Sequence, residues 1–158
     1  MTESLLNDFG RLFLRLRRIA DAELAREGAS LARMKLLMYV QSQHPSVRAA
    51  DIASYFGHSP RTVSEAIEGL ERDGMIRRTP DPSDGRVKRI ALTPAGEAVI
   101  ASAEPLRTRL NEAIFGVLAP EDRQRLRETL AQLDAAADAL EQQGGLGAEP
   151  PPPGDGGG

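Results

Sequence analysis

Ser59, Arg61, Thr62, Ser64 and Glu65 place five hydrogen-bonding side chains within seven residues, and a helix is the element that would bring them to one face. Val63, Ala66, Ile67 and Leu70 recur at helical spacing through the same segment, so Arg61, Thr62, Ser64, Glu65 and Glu68 fall on the opposite, polar face. Such a face suits a nucleic acid. Arg61 can donate two hydrogen bonds to guanine, Thr62 and Ser64 suit a phosphate or a base edge, and Glu65 repels phosphate yet can accept from the cytosine amino group. Glu65 reads equally as solvated surface, and Glu68 and Glu71 read better as that. A second set follows closely: Arg77, Arg78, Arg86, Lys88 and Arg89 outnumber Asp81 and Asp84, giving the local positive stripe that phosphate contact requires.

These side chains need elements to hold them. Ser59 can cap a helix, Pro60 fits its first position and Asp73-Gly74 ends it. Met75 to Thr79 carries strand-type residues, Asp81-Pro82-Ser83-Asp84-Gly85 supplies turn chemistry, and Arg86 to Leu92 alternates on the return. The result is a hairpin with a basic tip, whose alternation lets only about half of Arg77, Arg78, Lys88 and Arg89 share a face. Upstream, Ser46 is placed to open a short helix over Ala49, Ile52, Ala53 and Phe56, with Gly57-His58 turning into the Ser59 helix. Short helix, tight turn, second helix is the helix-turn-helix arrangement.

Longer helices flank this unit. Leu5, Phe9, Leu12, Leu16 and Ile19 predict a first helix broken at Gly28, and Ser30 caps a second one carrying Leu31, Met34, Leu37, Met38 and Val40 up to His44-Pro45. Thr93 and Pro94 start a helix expected to run through Val99, Ala103, Leu106, Leu110 and Ile114, and Pro120 starts a last one through Leu126, Leu130, Leu133, Ala137 and Leu140. The fold class is therefore mainly α with a small β-hairpin wing, a winged helix-turn-helix over 30–92 flanked by helices at 3–27 and 94–142. Residues 144–158 are Gly/Pro-rich with almost no apolar side chains and are expected to be disordered.

Four segments in order, Thr62-Val63-Ser64, Leu70 to Ile76, Asp81 to Arg86, and Leu92-Thr93-Pro94-Ala95-Gly96, resemble the MarR family of bacterial transcription regulators. The resemblance covers roughly residues 5–142 and makes 1–143 a single domain of that type. It implies a homodimer that binds operator DNA and often releases it when a small molecule binds. Asp84-Gly85-Arg86 matches the family's Asp-x-Arg motif, whose arginine reaches into a narrow minor groove, where negative potential is concentrated. Asp84 then holds the turn. Two departures stand out: Glu65 replaces a residue that is often basic or neutral, and Gly85 replaces one that is often basic. The family's effector lodges between the DNA-binding lobe and the dimer helices, which points to Phe9, Phe13, Leu16, Met34, Met38 and Tyr39, with Arg15 or His44 as anchors. Those residues suit plain core as well. The types favour a small aromatic or largely apolar molecule, a carboxylate on it being met by Arg15.

The apolar stripes of the first and last helices are wider than a small DNA-binding unit needs. Leu5, Phe9, Leu12, Leu110, Ile114, Leu126, Leu130 and Leu133 either complete the intramolecular core or interdigitate with a second copy about a two-fold axis. A dimer would set two Ser59 helices about 34 Å apart, one DNA turn, over a near-palindromic site.

Composition sets broader bounds. The 158 residues are 41% hydrophobic and 27% charged, enough for one domain with a proper core. No apolar run approaches the ~18 residues of a membrane span, and arginines interrupt the apolar N-terminus where a signal peptide would need continuity, so a cytoplasmic protein is expected. The net charge of −3 opposes nucleic-acid binding only as an average, since Glu149 and Asp155 lie in the tail. Zero cysteines excludes disulfides and cysteine-based oxidation sensing. His44 and His58 stand alone without metal-partner spacing, and no nucleophile elbow or Gly-rich phosphate loop is present, so neither enzyme, metal nor cofactor is expected. A winged helix that has lost DNA binding and docks a protein is the alternative. Among regulators, a repressor is favoured because blocking a promoter needs only occupancy.

Overall fold

The computed structural model of the protein describes residues 4–146. Of the segment expected to be disordered, residues 147–158 lie outside the described residues. In chain order the elements are α1 Leu5–Arg26, α2 Leu31–Ser42, β1 Val47–Arg48, α3 Ala49–Phe56, α4 Pro60–Arg72, β2 Ile76–Pro80, β3 Lys88–Leu92, α5 Pro94–Ser102, α6 Glu104–Phe115 and α7 Pro120–Gln142. Contacts divide the chain between Leu110 and Asn111 into two compact units.

The first unit holds the reading head. Val63, Ile67 and Leu70, spaced four and three apart on α4, are buried while their neighbours face solvent, and they meet Leu37 of α2, Ile52 of α3, and Ile76 and Ile90 of the sheet in one core. The sheet is antiparallel in the order β1-β3-β2, with Val47 opposite Ile90, and Ile76 and Arg78 opposite Leu92 and Ile90. Between α3 and α4 the chain turns through Gly57, whose φ of 65° is in the left-handed region that a Cβ disfavours. His58 N–H then bonds Ala53 O at 3.1 Å and Gly57 N–H bonds Ser54 O at 3.3 Å, closing α3 tightly enough to redirect the chain into α4.

Two expectations are corrected. Ser46 does not open α3: Val47 instead pairs with Ile90 as a third strand and is buried there, and α3 begins at Ala49 with no side-chain cap. Burying a β-branched residue against another strand outweighs the cap that Ser46 could offer. The helix expected from Pro94 through Ile114 is two helices. Pro105 has no N–H to give to residue 101 and its ring crowds that carbonyl, so α5 ends at Ser102 and α6 restarts at Glu104.

In the second unit, Arg123 of α7 donates from Nε to Leu118 O at 3.1 Å and lies 3.6 Å from Glu112, tying the start of α7 to the turn before it. Leu126 is half-buried, whereas Leu130 and Leu133 are exposed. No helix among the described residues is long and apolar enough to cross a membrane.

Candidate nucleic-acid interface

The N-terminal turn of α4 is built by its cap. Ser59 Oγ accepts from Thr62 N–H at 3.2 Å and shares a 2.9 Å hydrogen bond with the Thr62 hydroxyl, so both hydroxyls are engaged locally. Pro60 occupies the first position, where a missing N–H is harmless. Arg61, Ser64 and Glu65 are exposed, and Arg61 donates from Nε to Glu65 Oε1 at 3.1 Å. The far end of α4 is braced twice: Asp73 pairs with Arg33 of α2, and Glu71 takes Arg78 of β2 through Nε at 3.1 Å and through Nη2 at 2.8 Å. The Arg78 hydrogen bonds hold the Glu71 carboxyl below its ordinary range.

The wing is organised by a residue that sequence reading treated only as a turn former. Asp81 is 4% exposed. One of its oxygens accepts from Ser83 N–H at 2.9 Å, Ser83 Oγ–H at 2.6 Å and Asp84 N–H at 3.3 Å. The other accepts from Arg89 Nε at 2.6 Å and lies 3.8 Å from Arg48. Asp-Pro-Ser was the available signal, because an Asp that bonds the N–H two residues on makes an Asx turn. At the tip, Asp84 Oδ1 accepts from Arg86 N–H at 3.1 Å, and Asp81 N–H bonds Val87 O at 2.8 Å. Arg78 and Arg89 are therefore committed to structure, whereas Arg77, Arg86 and Lys88 remain exposed, with Gly85 beside Arg86 at the tip.

Asp81 also gives the fold an acid dependence. Hydrogen bonds from the Ser83 hydroxyl and amide, then from Arg89, hold its carboxyl well below the usual carboxylate range. A carboxyl depressed in the folded state contributes stability fully present above its unfolded pKa, about 3.9, and lost as pH falls below that. Asp81→Asn should accordingly be less stable than wild type at pH 7, with the gap narrowing below about pH 4. Urea unfolding at several pH values measures this, and a gap that widens on acidification would contradict it.

The eight residues named for an effector do not line one crevice within the chain. Phe13 lines a cleft of about 350 Å³ together with Arg17, Lys35, Leu36, Phe56, His58, Thr62, Val63 and Ala66. Lys35 Nζ sits 5.7 Å from the centre of the Phe13 ring. Met34 and Met38 line a separate apolar cavity of about 120 Å³ with Leu24, Ile100 and Leu106. Tyr39 stacks on Tyr55 at 4.1 Å, and burial followed by the nearby Asp51 raises its hydroxyl pKa. His44 lies in a groove with Arg77 and Glu97; Arg15 lies on an outer face of α1 with Arg11 and Asp21. Phe9 is exposed and Leu16 half-buried. Arg17, Lys35, Phe56 and His58 enter this cleft from four parts of the chain that no spacing in the sequence connects. Among the described residues no three His, Asp or Glu side chains converge as a metal would need.

The residues named for a dimer interface also separate. Leu5 is 84%, Phe9 53% and Leu12 52% exposed on α1, and Leu130 and Leu133 are exposed on α7. Ile114 and Leu126 are half-buried, while Leu110 packs on the core of its own unit.

Comparison with known proteins places this geometry. The MarR family model matches residues 30–88, from the α2 cap to the first residue of β3. Transcriptional regulator HosA of Escherichia coli O111:H- is 29% identical over 72 residues, 46% of this chain and 53% of HosA, so the chain spans about half the length of that relative. A crystal structure of MarR superposes with a TM-score of 0.78 at 20% identity, covering 89% of this chain and 95% of that one. The Staphylococcus aureus MepR-DNA complex superposes with a TM-score of 0.71 at 21% identity, covering 85% and 98%. Residues 30–88 thus match the MarR family model, and the chain follows the MarR-type winged helix-turn-helix fold along most of its length.

Proposed function

We propose that the chain is a sequence-specific DNA-binding transcription regulator, a homodimer that represses by occupying a pseudo-palindromic operator and leaves it when a small ligand binds. The observation that carries this reading is the exposed polar face of α4 beside a braced wing whose tip arginine, Arg86, is free to reach outward. Arg61, Ser64 and Glu65 face bases in the major groove, Ser59 and Thr62 approach phosphate, Arg77 and Lys88 neutralise backbone charge, and Arg86 enters the minor groove. The regulator HosA and the DNA-bound MepR structure are similar proteins in which regulation and DNA binding are named, and they support the same role here. Residues 1–143 act as a single domain, with 3–27 and 94–142 supplying the dimer helices. The charge distribution, and a sequence without a nucleophile elbow or Gly-rich phosphate loop, fit a regulator better than an enzyme.

The cleft between Phe13 and α4 is the place for the ligand. Its floor is apolar and Arg17 and Lys35 stand at its rim, so a small aromatic carboxylate suits it. Because Thr62, Val63 and Ala66 of α4 form one wall, a ligand that prefers one setting of that wall changes how α4 meets DNA. A coupling of about 1–3 kcal/mol would lower operator affinity several-fold or more.

The test is a gel-shift series across salt with DNA from upstream of the protein's own gene. Arg86→Ala is expected to bind about tenfold more weakly and to lower the salt slope by about one, without loss of folding. Unchanged affinity at every salt would overturn the wing assignment. No shift by the wild type at any salt would favour the protein-docking alternative.

A further inference from the structure

We propose that Arg61 and Glu65 work as one reading unit, in which Glu65 orients Arg61 toward a guanine and itself accepts from a cytosine within two base steps. The inference rests on the DNA-binding reading above and names the bases it selects. Its basis is a division of labour on α4. Ser59 and Thr62 hydroxyls are bonded to each other and to the helix cap, which leaves Arg61 and Glu65 as the charged pair of the first two turns. Arg61 gives Nε–H to Glu65 Oε1 at 3.1 Å, and the two side chains are 89% and 65% exposed. Among the described residues no other partner holds the two terminal nitrogens of Arg61 or the second oxygen of Glu65. Those terminal nitrogens match guanine O6 and N7, and the remaining carboxylate oxygen matches the cytosine N4 amino group.

Helix stability does not account for the pair. A cation in the first turn opposes the helix dipole, and a basic residue four positions before an acidic one is the weaker order for an ion pair. The first turn of α4 contains no acidic residue at all. A pair that contributes so little to the helix leaves its exposed groups available to what that face meets. Residues four apart on a helix are separated by about 6 Å along its axis. Stacked bases repeat every 3.4 Å or so, which sets the two-step limit.

The experiment is selection from a random double-stranded DNA library with the full-length wild type, Glu65→Ala, Glu65→Gln and Arg61→Ala, with thermal melts confirming that each is folded. Wild type should enrich a half-site containing guanine and cytosine within two steps. Glu65→Ala should weaken both the guanine and the cytosine preference, whereas Glu65→Gln, whose amide oxygen can still accept from Arg61 Nε, should keep the guanine and weaken the cytosine preference by about fivefold or more; both should bind random DNA several-fold more tightly because a carboxylate no longer repels phosphate. Arg61→Ala should lose the guanine. If the wild type enriches no motif, sequence-specific binding fails and this inference with it. If a motif is enriched but is identical for wild type and both Glu65 variants, DNA binding stands and the reading unit is wrong.

Discussion

Replacing Leu130 and Leu133 together by glutamate is expected to turn the protein into a monomer and to abolish tight operator binding. Both leucines lie on α7 and are 41% and 55% exposed, so their removal takes little packing from the chain's own fold. In the proposed dimer a two-fold axis would apply every substitution twice, so four leucines would leave the interface at once. Burying one leucine contributes about 1.5–3 kcal/mol. A micromolar to nanomolar dimer is held by about 8–12 kcal/mol, so the double change removes most or all of it even before the glutamates repel one another. Light scattering should then give the 17.0 kDa mass of one chain rather than twice that value. Circular dichroism should show helix content retained. A dimer that persists with full operator affinity would exclude α7 from the interface and leave the α1 stripe of Leu5, Phe9 and Leu12 as the surface to change next.

The parts of the fold legible in the sequence are those fixed within a few residues of themselves. For α4, cap, first-position proline, apolar spacing and terminal glycine all agree, and local agreement of this kind leaves few competing structures. β1 was not legible because two residues carry no periodicity, and Val47 is strand only by virtue of Ile90, far along the chain. The break between α5 and α6 was legible in principle through Pro105, yet Val99, Leu106 and Leu110 continue an apolar spacing across it. The same distinction holds at the site. Arg61 and Arg86 stand out locally, whereas the bracing of Asp81 depends on Arg48 and Arg89 arriving from two other strands.

Charge shows why composition was a poor guide to function. Arg33, Arg78 and Arg89 each hold two elements together through a carboxylate, so they add little to the field that DNA would meet. Arg77, Arg86 and Lys88 are exposed in the wing, and their position rather than the total of −3 sets the local potential. Bracing by the first group makes the second useful, because a mobile wing would lose conformational entropy on binding that a fixed one has already lost.

Gly96→Ala should then lower both stability and operator affinity, although Gly96 is remote from the reading face. A Cβ at Gly96 would lie 2.1 Å from Met75 O and 3.1 Å from the Met75 carbonyl carbon. Backbone cannot yield as a side-chain end can. That same carbonyl accepts from Thr93 N–H at 3.1 Å, while Thr93 Oγ donates to Gly74 O at 2.5 Å and accepts from Gly96 N–H at 3.2 Å. The start of α5 is thus seated directly on the link between α4 and β2. Making room for a methyl group must lift α5 or shift Met75, and overpacking of this kind costs about 1–3 kcal/mol. For a chain of this length each kcal/mol corresponds to about 2–4 °C, so the melting temperature should fall by roughly 2–12 °C. Because Met75 leads from the reading helix into the wing, its displacement also misaligns Arg61 with Arg86, and affinity should drop in the fraction that remains folded. Gly85→Ala is the control: a Cβ there meets nothing within 4 Å, and its melting temperature should match wild type. Equal melting temperatures for the Gly96 and Gly85 variants would show that α5 can move away from Met75 without penalty, and that the Thr93-Pro94-Ala95-Gly96 junction does not set the geometry of the wing.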